Sequence, residues 1–215
     1  MNKLHYIFDF DYTLANTESA ILKCFHHVLQ SIGKDATDDE IRYTIGLTLE
    51  QAFGVLTGES DPERLLALRK QYVAYADTCM VAMTRFYPEA IPLMRAIRAQ
   101  GGHVAVMSTK YRWRIEQSFD HEGIRDLLDD IIGGEDVSAH KPDPAGLIAI
   151  IERNGWDKAD CVYVGDNVVD GEAAMRAGVD FVGVVQGTTT HEQLKAYPHM
   201  AVGDDLNAVR VACKI

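Results

Sequence analysis

Short apolar runs alternate with longer amphipathic stretches along most of this chain. The apolar runs fall at 4–8, 103–108, 130–133, 160–164, 180–185 and 199–202. Most are rich in β-branched or aromatic residues and end at glycine or polar residues, a pattern typical of strands buried on both faces of a parallel sheet. Helical periodicity begins between them near Tyr111, Pro144, Val168, Thr190 and Asp205. This alternation predicts a doubly wound α/β fold.

Residues 15–85 differ, because they carry helical patterns without a strand signal. Apolar positions recur along one helical face from Ile21 to Ile32, and Gly33 ends that pattern. Capping signals mark later helix starts at Thr37 with Glu40, Thr48 with Gln51, and Asp61 with Pro62. We therefore predict a Rossmann-like α/β core of residues 1–14 and 86–215, with an inserted all-helical cap domain at 15–85.

Composition and charge narrow the classes of partner. The 215 residues are 47% apolar, enough to bury a full core, and the net charge is -11. That charge argues against nucleic acid and anionic membranes, because phosphate groups favour Lys and Arg. No run approaches the roughly 20 apolar residues of a membrane helix. The four cysteines form no CxxC pair, so we expect free thiols in a reducing cytoplasm. Monomer and homodimer both remain open.

Four polar segments fall where strands are predicted to end or where a new helix begins. They occupy 9–13, 108–110, 141–142 and 165–170. In a parallel sheet, ligands bind at the carboxyl ends of the strands, so we expect these segments to converge on one edge. Taken singly, each is more simply a turn, a helix cap or a solvated lysine. The set as a whole favours a single polar site.

The carboxylates of this set point to a divalent cation. They are Asp9, Asp11, Asp166 and Asp170. Acidic groups crowded at one edge repel one another unless a cation or hydrogen bonds hold them. Mg²⁺ takes few carboxylates, keeps waters and shares phosphate oxygens, so the sequence predicts a Mg²⁺ site.

The remaining residues of the set suit an anion. Lys141 would neutralise charge on a transferring phosphoryl group. Ser108 and Lys110 would add a hydroxyl and the amide nitrogens of a helix start, which together bind anions readily. The predicted ligand is therefore a phosphate held beside Mg²⁺.

These motifs resemble the haloacid dehalogenase superfamily, and in particular its phosphoglycolate-phosphatase-like branch. The family's four motifs match in order as Asp9-x-Asp11-x-Thr13, Ser108, Lys141 and Gly165-Asp166-x-x-x-Asp170. The helical cap of the family falls between the first and second motif, as the predicted insertion does. The resemblance spans essentially the whole chain.

The resemblance implies a role for each motif residue. Asp9 would be the nucleophile that becomes an aspartyl phosphate. Asp11 would protonate the leaving oxygen and then take a proton from the hydrolytic water. Ser108 and Lys141 would bind the non-bridging phosphate oxygens. Thr13 would support the first loop and belongs to the expected substrate-binding set.

The resemblance also implies how Mg²⁺ is held. Asp9, the Asp11 carbonyl and Asp166 would be its ligands. Asp170 would lie in or near the outer shell. Thr109 and Lys110 complete the expected substrate-binding set.

Three positions depart from the family pattern. Tyr12 stands where many relatives have glycine, and Asn16 stands where many have aspartate. Thr109 occupies a position where asparagine is common. A tyrosine at position 12 is expected to narrow the site.

The helical insertion supplies one further candidate. Residues 42–49 resemble the cap segment that faces the substrate in relatives. Arg42 is then either a solvated surface residue or a fork for a carboxylate or second phosphate on the leaving group. The eight histidines lack the spacing of a zinc site and are interpreted as structural or surface residues.

The sequence thus predicts a cytoplasmic, Mg²⁺-dependent phosphatase for a small phosphorylated, phosphoglycolate-like metabolite. A phosphomutase of the same superfamily is the main alternative, because it differs only in returning the phosphoryl group to a sugar. A phospho-accepting signalling receiver also combines Asp, Ser or Thr, Lys and Mg²⁺ on a doubly wound sheet. It has no use for the long helical insertion or the GDxxxD segment.

Overall fold

The computed structural model describes residues 3–215, so residues 1 and 2 of the predicted core lie outside the described range. The strands are β1 His5–Phe8, β2 Ala15–Asn16, β3 Arg85–Phe86, β4 His103–Met107, β5 Asp130–Ile132, β6 Cys161–Gly165, β7 Asp180–Val184 and β8 Ala201–Gly203. The helices are α1 Glu18–Ser31, α2 Asp38–Arg42, α3 Leu49–Thr57, α4 Pro62–Met83, α5 Ala90–Ala99, α6 Arg112–His121, α7 Ala145–Asn154, α8 Val168–Ala177, α9 His191–Lys195 and α10 Asn207–Cys213.

A six-stranded sheet with the order β5-β4-β1-β6-β7-β8 forms the centre of the molecule. All of its strand pairs are parallel. Side chains alternate between its two faces, and both faces are covered. On one face Tyr6 and Phe8 pack with α5, α6 and α10. On the other, Ile7 and Tyr163 pack with α7, α8 and α9. The doubly wound fold predicted from the alternating pattern is therefore confirmed.

The helical insertion lies between two very short strands. β2 and β3 pair in antiparallel register, Ala15 with Phe86 and Asn16 with Arg85. Helices α1 to α4 lie between them and share an apolar cluster of their own, centred on Phe25, Phe53 and Tyr72. The sequence carried no strand signal here, because a two-residue strand is too short for a periodic pattern. The division into a core and a cap domain at 14/15 and 85/86 stays a prediction.

Local capping chemistry sets the helix starts as the sequence predicts. Thr37 and Thr48 each form a reciprocal capping box with the side chain three residues later. Asp61 caps α4, whose first residue is Pro62. The Tyr87-Pro88 pair also predicts a helix start, and helix α5 begins two residues further on, at Ala90.

Two expectations about the chain as a whole can be compared with the structure. Its four cysteines are free, and the Sγ atoms of Cys24 and Cys79 lie 3.8 Å apart between α1 and α4. Across the part of the chain that the structure describes, no helix combines the length and the apolar character that crossing a membrane requires.

Candidate active site

The strand ends bring the predicted motifs together at the carboxyl edge of the sheet. Asp9 follows β1, Ser108 follows β4 and Asp166 is the first residue after β6. The backbone N–H of Asp9 donates to the Val164 carbonyl at 2.8 Å. The N–H of Ser108 donates to the Ile132 carbonyl at 3.0 Å. Sheet hydrogen bonding therefore continues into both motif residues and holds their backbones in place.

Lys141 connects two of the carboxylates. Its Nζ lies 2.9 Å from Asp9 Oδ2 and 2.6 Å from Asp170 Oδ1. The hydroxyl of Tyr163 also donates to Asp170 Oδ1, at 2.9 Å. Burial alone would lower the pKa of Lys141, but the negative charges of Asp170 and Asp9 outweigh burial and raise it. Lys141 is therefore a buried ammonium group beside Asp9.

Three buried carboxylates form one cluster. Carboxylate oxygens of Asp9, Asp166 and Asp170 all lie within 4.8 Å of one another. Burial raises the pKa of Asp9 to about 6, and the charge of Asp170 adds to this, whereas Lys141 and Ser108 oppose it. Burial and the charges of Asp170 and Asp9 likewise raise the pKa of Asp166 well above its ordinary value. The cluster holds more negative charge than Lys141 can balance.

The hydrogen bonds of the cluster distinguish its members. Asp170 is fully engaged, since Oδ1 accepts from Lys141 and Tyr163 and Oδ2 accepts from the N–H of Asn167 at 2.9 Å. Asp9 Oδ1 is buried and has no hydrogen-bond partner among the described residues. An unpartnered buried carboxylate oxygen is costly unless a cation or proton meets it. The oxygen donors fit Mg²⁺, with Asp9 and Asp166 better placed as direct ligands than Asp170.

The Asp166 carboxylate lies beside two other segments of the chain, the first motif and the loop after β7. Thr13 is fully buried, and its hydroxyl donates to Asp166 Oδ1 at 3.2 Å. This contact favours a supporting role for Thr13 over direct contact with substrate. Gly187, in the loop after β7, lies so close that a Cβ there would collide with the Asp166 carboxylate. The neighbouring Gln186 donates to the Thr13 carbonyl at 3.0 Å.

Asp11 lies apart from the carboxylate cluster and has its own partners. Its Oδ1 accepts from Lys110 Nζ at 2.7 Å and from Thr17 Oγ1 at 2.6 Å. The ammonium of Lys110 thus pairs with Asp11, while its N–H donates to Ser108 Oγ at 3.3 Å. The ammonium of Lys110 therefore holds Asp11, and the anion-binding role expected of the Ser108–Lys110 segment stays a prediction.

The chain turns at Tyr12, between the carboxylates of the first motif and the start of the insertion. The φ of this residue is 57°, in the left-handed region that costs most residues about 1–2 kcal/mol and that glycine adopts freely. The buried ring belongs to the apolar cluster of the insertion, and its hydroxyl donates to Glu18 at 2.7 Å. These contacts offset the strain of the turn.

A large cavity lies between the insertion and the edge of the sheet. Its volume is about 440 Å³, and Asp11, Thr109, Lys110 and His140 line its core side. Thr109 also donates to the carbonyl of Gly46, at 3.2 Å. Gly46 has φ +99°, which a residue with a side chain rarely adopts. The segment after α2 therefore approaches the carboxyl edge of the sheet at Thr109. The expectation that this segment faces the substrate stays a prediction.

Arg42 lies elsewhere. Its guanidinium is 3.0 Å from Glu18 and 2.6 Å from Asp39, and it is not among the residues that line the cavity. It extends along the surface of the insertion, where acidic side chains of α1 and α2 meet it. This geometry favours a structural role for Arg42 over the predicted contact with the leaving group, because its hydrogen-bond donors already have acidic partners.

We therefore expect Arg42→Ala to change kcat/KM for phosphoglycolate and for p-nitrophenyl phosphate by less than about threefold, and equally for both. The reason is that neither leaving group meets this side chain. Steady-state kinetics on both compounds measures the effect. A loss above tenfold on phosphoglycolate alone would restore the interpretation that Arg42 recognises an anionic leaving group.

Sequence reasoning missed two parts of this site. Tyr163 was treated as an ordinary strand residue, although it points at Asp170 and donates to it. The loop at 186–187 carries no charged or metal-binding motif. The topology alone would have identified it, because it follows β7, whose carboxyl end lies beside that of β6.

The chain is similar to a known protein family over most of its length. The model of the haloacid dehalogenase-like hydrolase family matches residues 6–184. Among curated proteins, one relative is the Dickeya dadantii (strain 3937) protein named "Probable phosphatase IndB". It is 31% identical over 207 residues, covering 94% of this chain and 90% of the relative. A phosphoglycolate phosphatase of Pseudomonas putida is 27% identical over 215 residues, covering 96% of this chain and 78% of the relative.

Solved structures agree with these relatives. A haloacid dehalogenase-like hydrolase of Bacteroides fragilis superposes with a TM-score of 0.94 at 41% identity, covering 96% of this chain and 99% of that one. The resemblance drawn from the four motifs is confirmed, and it extends through the helical insertion. This chain belongs to the haloacid dehalogenase-like hydrolase family.

Proposed function

We propose that this protein is a Mg²⁺-dependent phosphatase that hydrolyses a phosphomonoester of a small metabolite through an aspartyl phosphate on Asp9. One observation carries the proposal. Asp9 is buried, with Lys141 2.9 Å from one carboxylate oxygen and no partner on the other. A nucleophile that must approach an anionic phosphate needs a positive group beside it, and Lys141 meets that need. The phosphatase names of the relatives support the same reaction.

The first step transfers the phosphoryl group to the protein. An oxygen of Asp9 attacks phosphorus while the bond between phosphorus and the leaving oxygen breaks. Asp11, in its protonated form, gives its proton to the leaving oxygen, so the product departs as a neutral alcohol. Lys110 and Thr17 hold the Asp11 carboxylate, at 2.7 and 2.6 Å.

The second step returns the phosphoryl group to water. Asp11, now a carboxylate, takes a proton from a water molecule as that water attacks phosphorus. The bond between phosphorus and Asp9 breaks, so inorganic phosphate leaves and the Asp9 carboxylate is restored. Ser108 and Lys141 bind the non-bridging oxygens in both steps and counter their charge.

The buried carboxylates would hold the metal. Asp9 and Asp166 would supply its oxygen ligands. Asp170, which accepts a hydrogen bond from Lys141 at 2.6 Å, would orient that ammonium and lie in or near the outer shell. When bound, Mg²⁺ would polarise a phosphate oxygen and balance the negative charge of the cluster. The hydrogen bond from Thr13 would orient Asp166 for this role, and the missing side chain at Gly187 leaves room for its carboxylate.

The proposal is tested by phosphate release from p-nitrophenyl phosphate before and after metal removal. We expect a chelator to abolish activity, Mg²⁺ to restore it, and Ca²⁺ to fail because it prefers more ligands at longer distances. Inorganic phosphate should equal p-nitrophenol in amount, which a phosphomutase acting on a sugar acceptor would not produce. Full activity in excess chelator would refute the metal requirement.

A matched variant links the metal to this site. Mg²⁺ should raise the melting temperature of the metal-free wild type and do so far less for Asp166→Asn. The substitution keeps the hydrogen bond from Thr13 but removes a carboxylate from the cluster. Equal stabilisation of both proteins by Mg²⁺ would place the metal elsewhere.

A further inference from the structure

The cavity beside Asp11 has a wall without charge. The insertion contributes that wall with the apolar side chains Ile21, Phe25, Val73, Ala76 and Met80 and the ring of Tyr72. The opposite side of the cavity reaches Asp11 and Lys110 at the carboxyl edge of the sheet. A leaving group whose oxygen meets Asp11 would therefore extend along an apolar surface.

Each cation that lines the cavity is already paired. Arg69 lies 2.6 Å from Glu50, and Lys110 lies 2.7 Å from Asp11. Arg114 is almost fully buried and lies 2.6 Å from Asp77. Among the described lining residues, these three side chains are the Arg and Lys groups of this cavity. Neither guanidinium is left over for a carboxylate on the leaving group, and the ammonium of Lys110 is held at Asp11, where the leaving oxygen would lie.

The acidic side chains add to this balance. Asp11 and Glu50 lie in the lining as the partners of Lys110 and Arg69, and Glu135 lines the cavity as a third acid. The Glu135 carboxylate accepts a hydrogen bond from the N–H of Arg112 at 2.9 Å, which fixes its position. An anionic leaving group would enter a space whose formal charge is not positive. The free-energy cost of removing water from that anion would then not be offset by a positive group of the cavity.

The size of the cavity excludes a close fit to a very small leaving group. A volume of about 440 Å³ is many times the roughly 30 Å³ that one water molecule takes up in the liquid. Glycolate has only five non-hydrogen atoms and would leave most of this volume to water. Pockets of this size ordinarily enclose ligands with rings and apolar faces.

We propose that the leaving group of the natural substrate is an uncharged, ring-bearing alcohol, of the size of an aryl alcohol or a nucleoside, and that carboxylate-bearing phosphoesters such as phosphoglycolate are poor substrates. This inference rests on the proposed phosphatase function and specifies its substrate class. Specificity then comes from the apolar wall and from the pairing of Arg69 with Glu50, which withholds a cation from anionic ligands.

Matched substrates separate the effect of charge from that of size. Phenyl phosphate and 4-carboxyphenyl phosphate differ by one carboxylate on the ring. At small size, 2-hydroxyethyl phosphate and phosphoglycolate also differ by one negative charge, because a carboxylate replaces the hydroxymethyl group. We expect the neutral member of each pair to have a kcat/KM at least tenfold higher, measured at pH 8 with Mg²⁺. The kcat/KM for uridine 5′-monophosphate should be higher than that for 2-hydroxyethyl phosphate. A higher kcat/KM for phosphoglycolate than for phenyl phosphate would overturn the inference.

Variants that remove one or both charges test the role of the Arg69–Glu50 pair. Glu50→Gln releases Arg69 from its partner, so the ratio of kcat/KM for 4-carboxyphenyl phosphate to that for phenyl phosphate should rise about tenfold. Arg69→Gln should lower the ratio, and the double variant should return it to the wild-type value. A ratio that is the same in all four proteins would show that this pair does not determine the charge preference and would overturn the proposed mechanism.

A binding measurement distinguishes failure of this inference from failure of the proposed function. Calorimetry with Asp9→Asn protein compares binding of phenyl phosphate and 4-carboxyphenyl phosphate without turnover. Tighter binding of phenyl phosphate, together with no phosphate release by the wild type, would refute the phosphatase function and leave the charge preference intact. Phosphate release by the wild type from every compound, together with equal binding of phenyl phosphate and 4-carboxyphenyl phosphate, would refute the charge preference and leave the phosphatase function intact.

Discussion

Asp9→Asn is expected to lower kcat for phosphate release by about 10⁴-fold or more, the scale on which loss of a nucleophile acts. An amide does not attack phosphorus, and the neighbouring Asp170 cannot substitute, because both of its oxygens accept hydrogen bonds. Phosphate release by rigorously purified protein measures the loss. Residual activity above about one per cent would remove Asp9 from the nucleophile role.

The same substitution should not destabilise the metal-free protein. Burial raises the pKa of Asp9 from 3.8 to about 6, so the folded state holds a proton in a range where the unfolded chain has released it. The resulting stability is present below pH 3.8 and is lost as pH rises through about 6. At pH 7.5 the ionised Asp9 therefore opposes folding, and Asn removes that charge.

Thermal melting in excess chelator checks this expectation. The melting temperature of the wild type should fall between pH 5 and pH 7.5, whereas that of Asp9→Asn should fall less. At pH 7.5 the variant should melt at the same temperature or a few degrees higher. A clear decrease in its melting temperature at pH 7.5 would mean that the contact with Lys141 outweighs repulsion within the cluster.

Lys141→Met is expected to lower both activity and stability. Its ammonium is the positive group in contact with Asp9 and Asp170, and its side chain is 2% exposed. Removing one partner of a buried ion pair typically costs about 3–5 kcal/mol. For a protein of this size that corresponds to roughly 10 °C in melting temperature. Loss of a charge that stabilises the transition state should lower kcat by about 10²–10³-fold in addition.

A double variant separates the two effects. Lys141→Met with Asp170→Asn removes both members of one pair and should recover most of the lost stability in chelator, while kcat stays low. Partial rescue of kcat by Lys141→Arg would support a role for positive charge rather than for shape. A wild-type melting temperature and a kcat within tenfold for Lys141→Met would show that Lys141 serves neither purpose.

Much of this protein could be predicted from local patterns. Alternating strand and helix signals identified the doubly wound sheet, and the capping boxes at Thr37 and Thr48 placed two helices. The convergence of the motifs on one edge of the sheet followed from topology. Asp9, Ser108 and Asp166 each come directly after a strand of one parallel sheet. These features depend on neighbours in sequence or on the rule that parallel strands end at the same edge.

Only the tertiary structure decided which charged groups meet. Lys110 pairs with Asp11 across ninety-nine positions of sequence, and Arg42 turns to Glu18 rather than to the cavity. Sequence motifs name the side chains of a site but do not set their rotamers, which depend on packing between the insertion and the core. The charge balance of the cavity beside Asp11 arises in the same way. The sequence by itself therefore determined the fold, the family and the four polar motifs. The pairing of Arg69 with Glu50 and the balanced charge of the cavity lining arise only because helices α3 and α4 pack against each other and against the edge of the sheet.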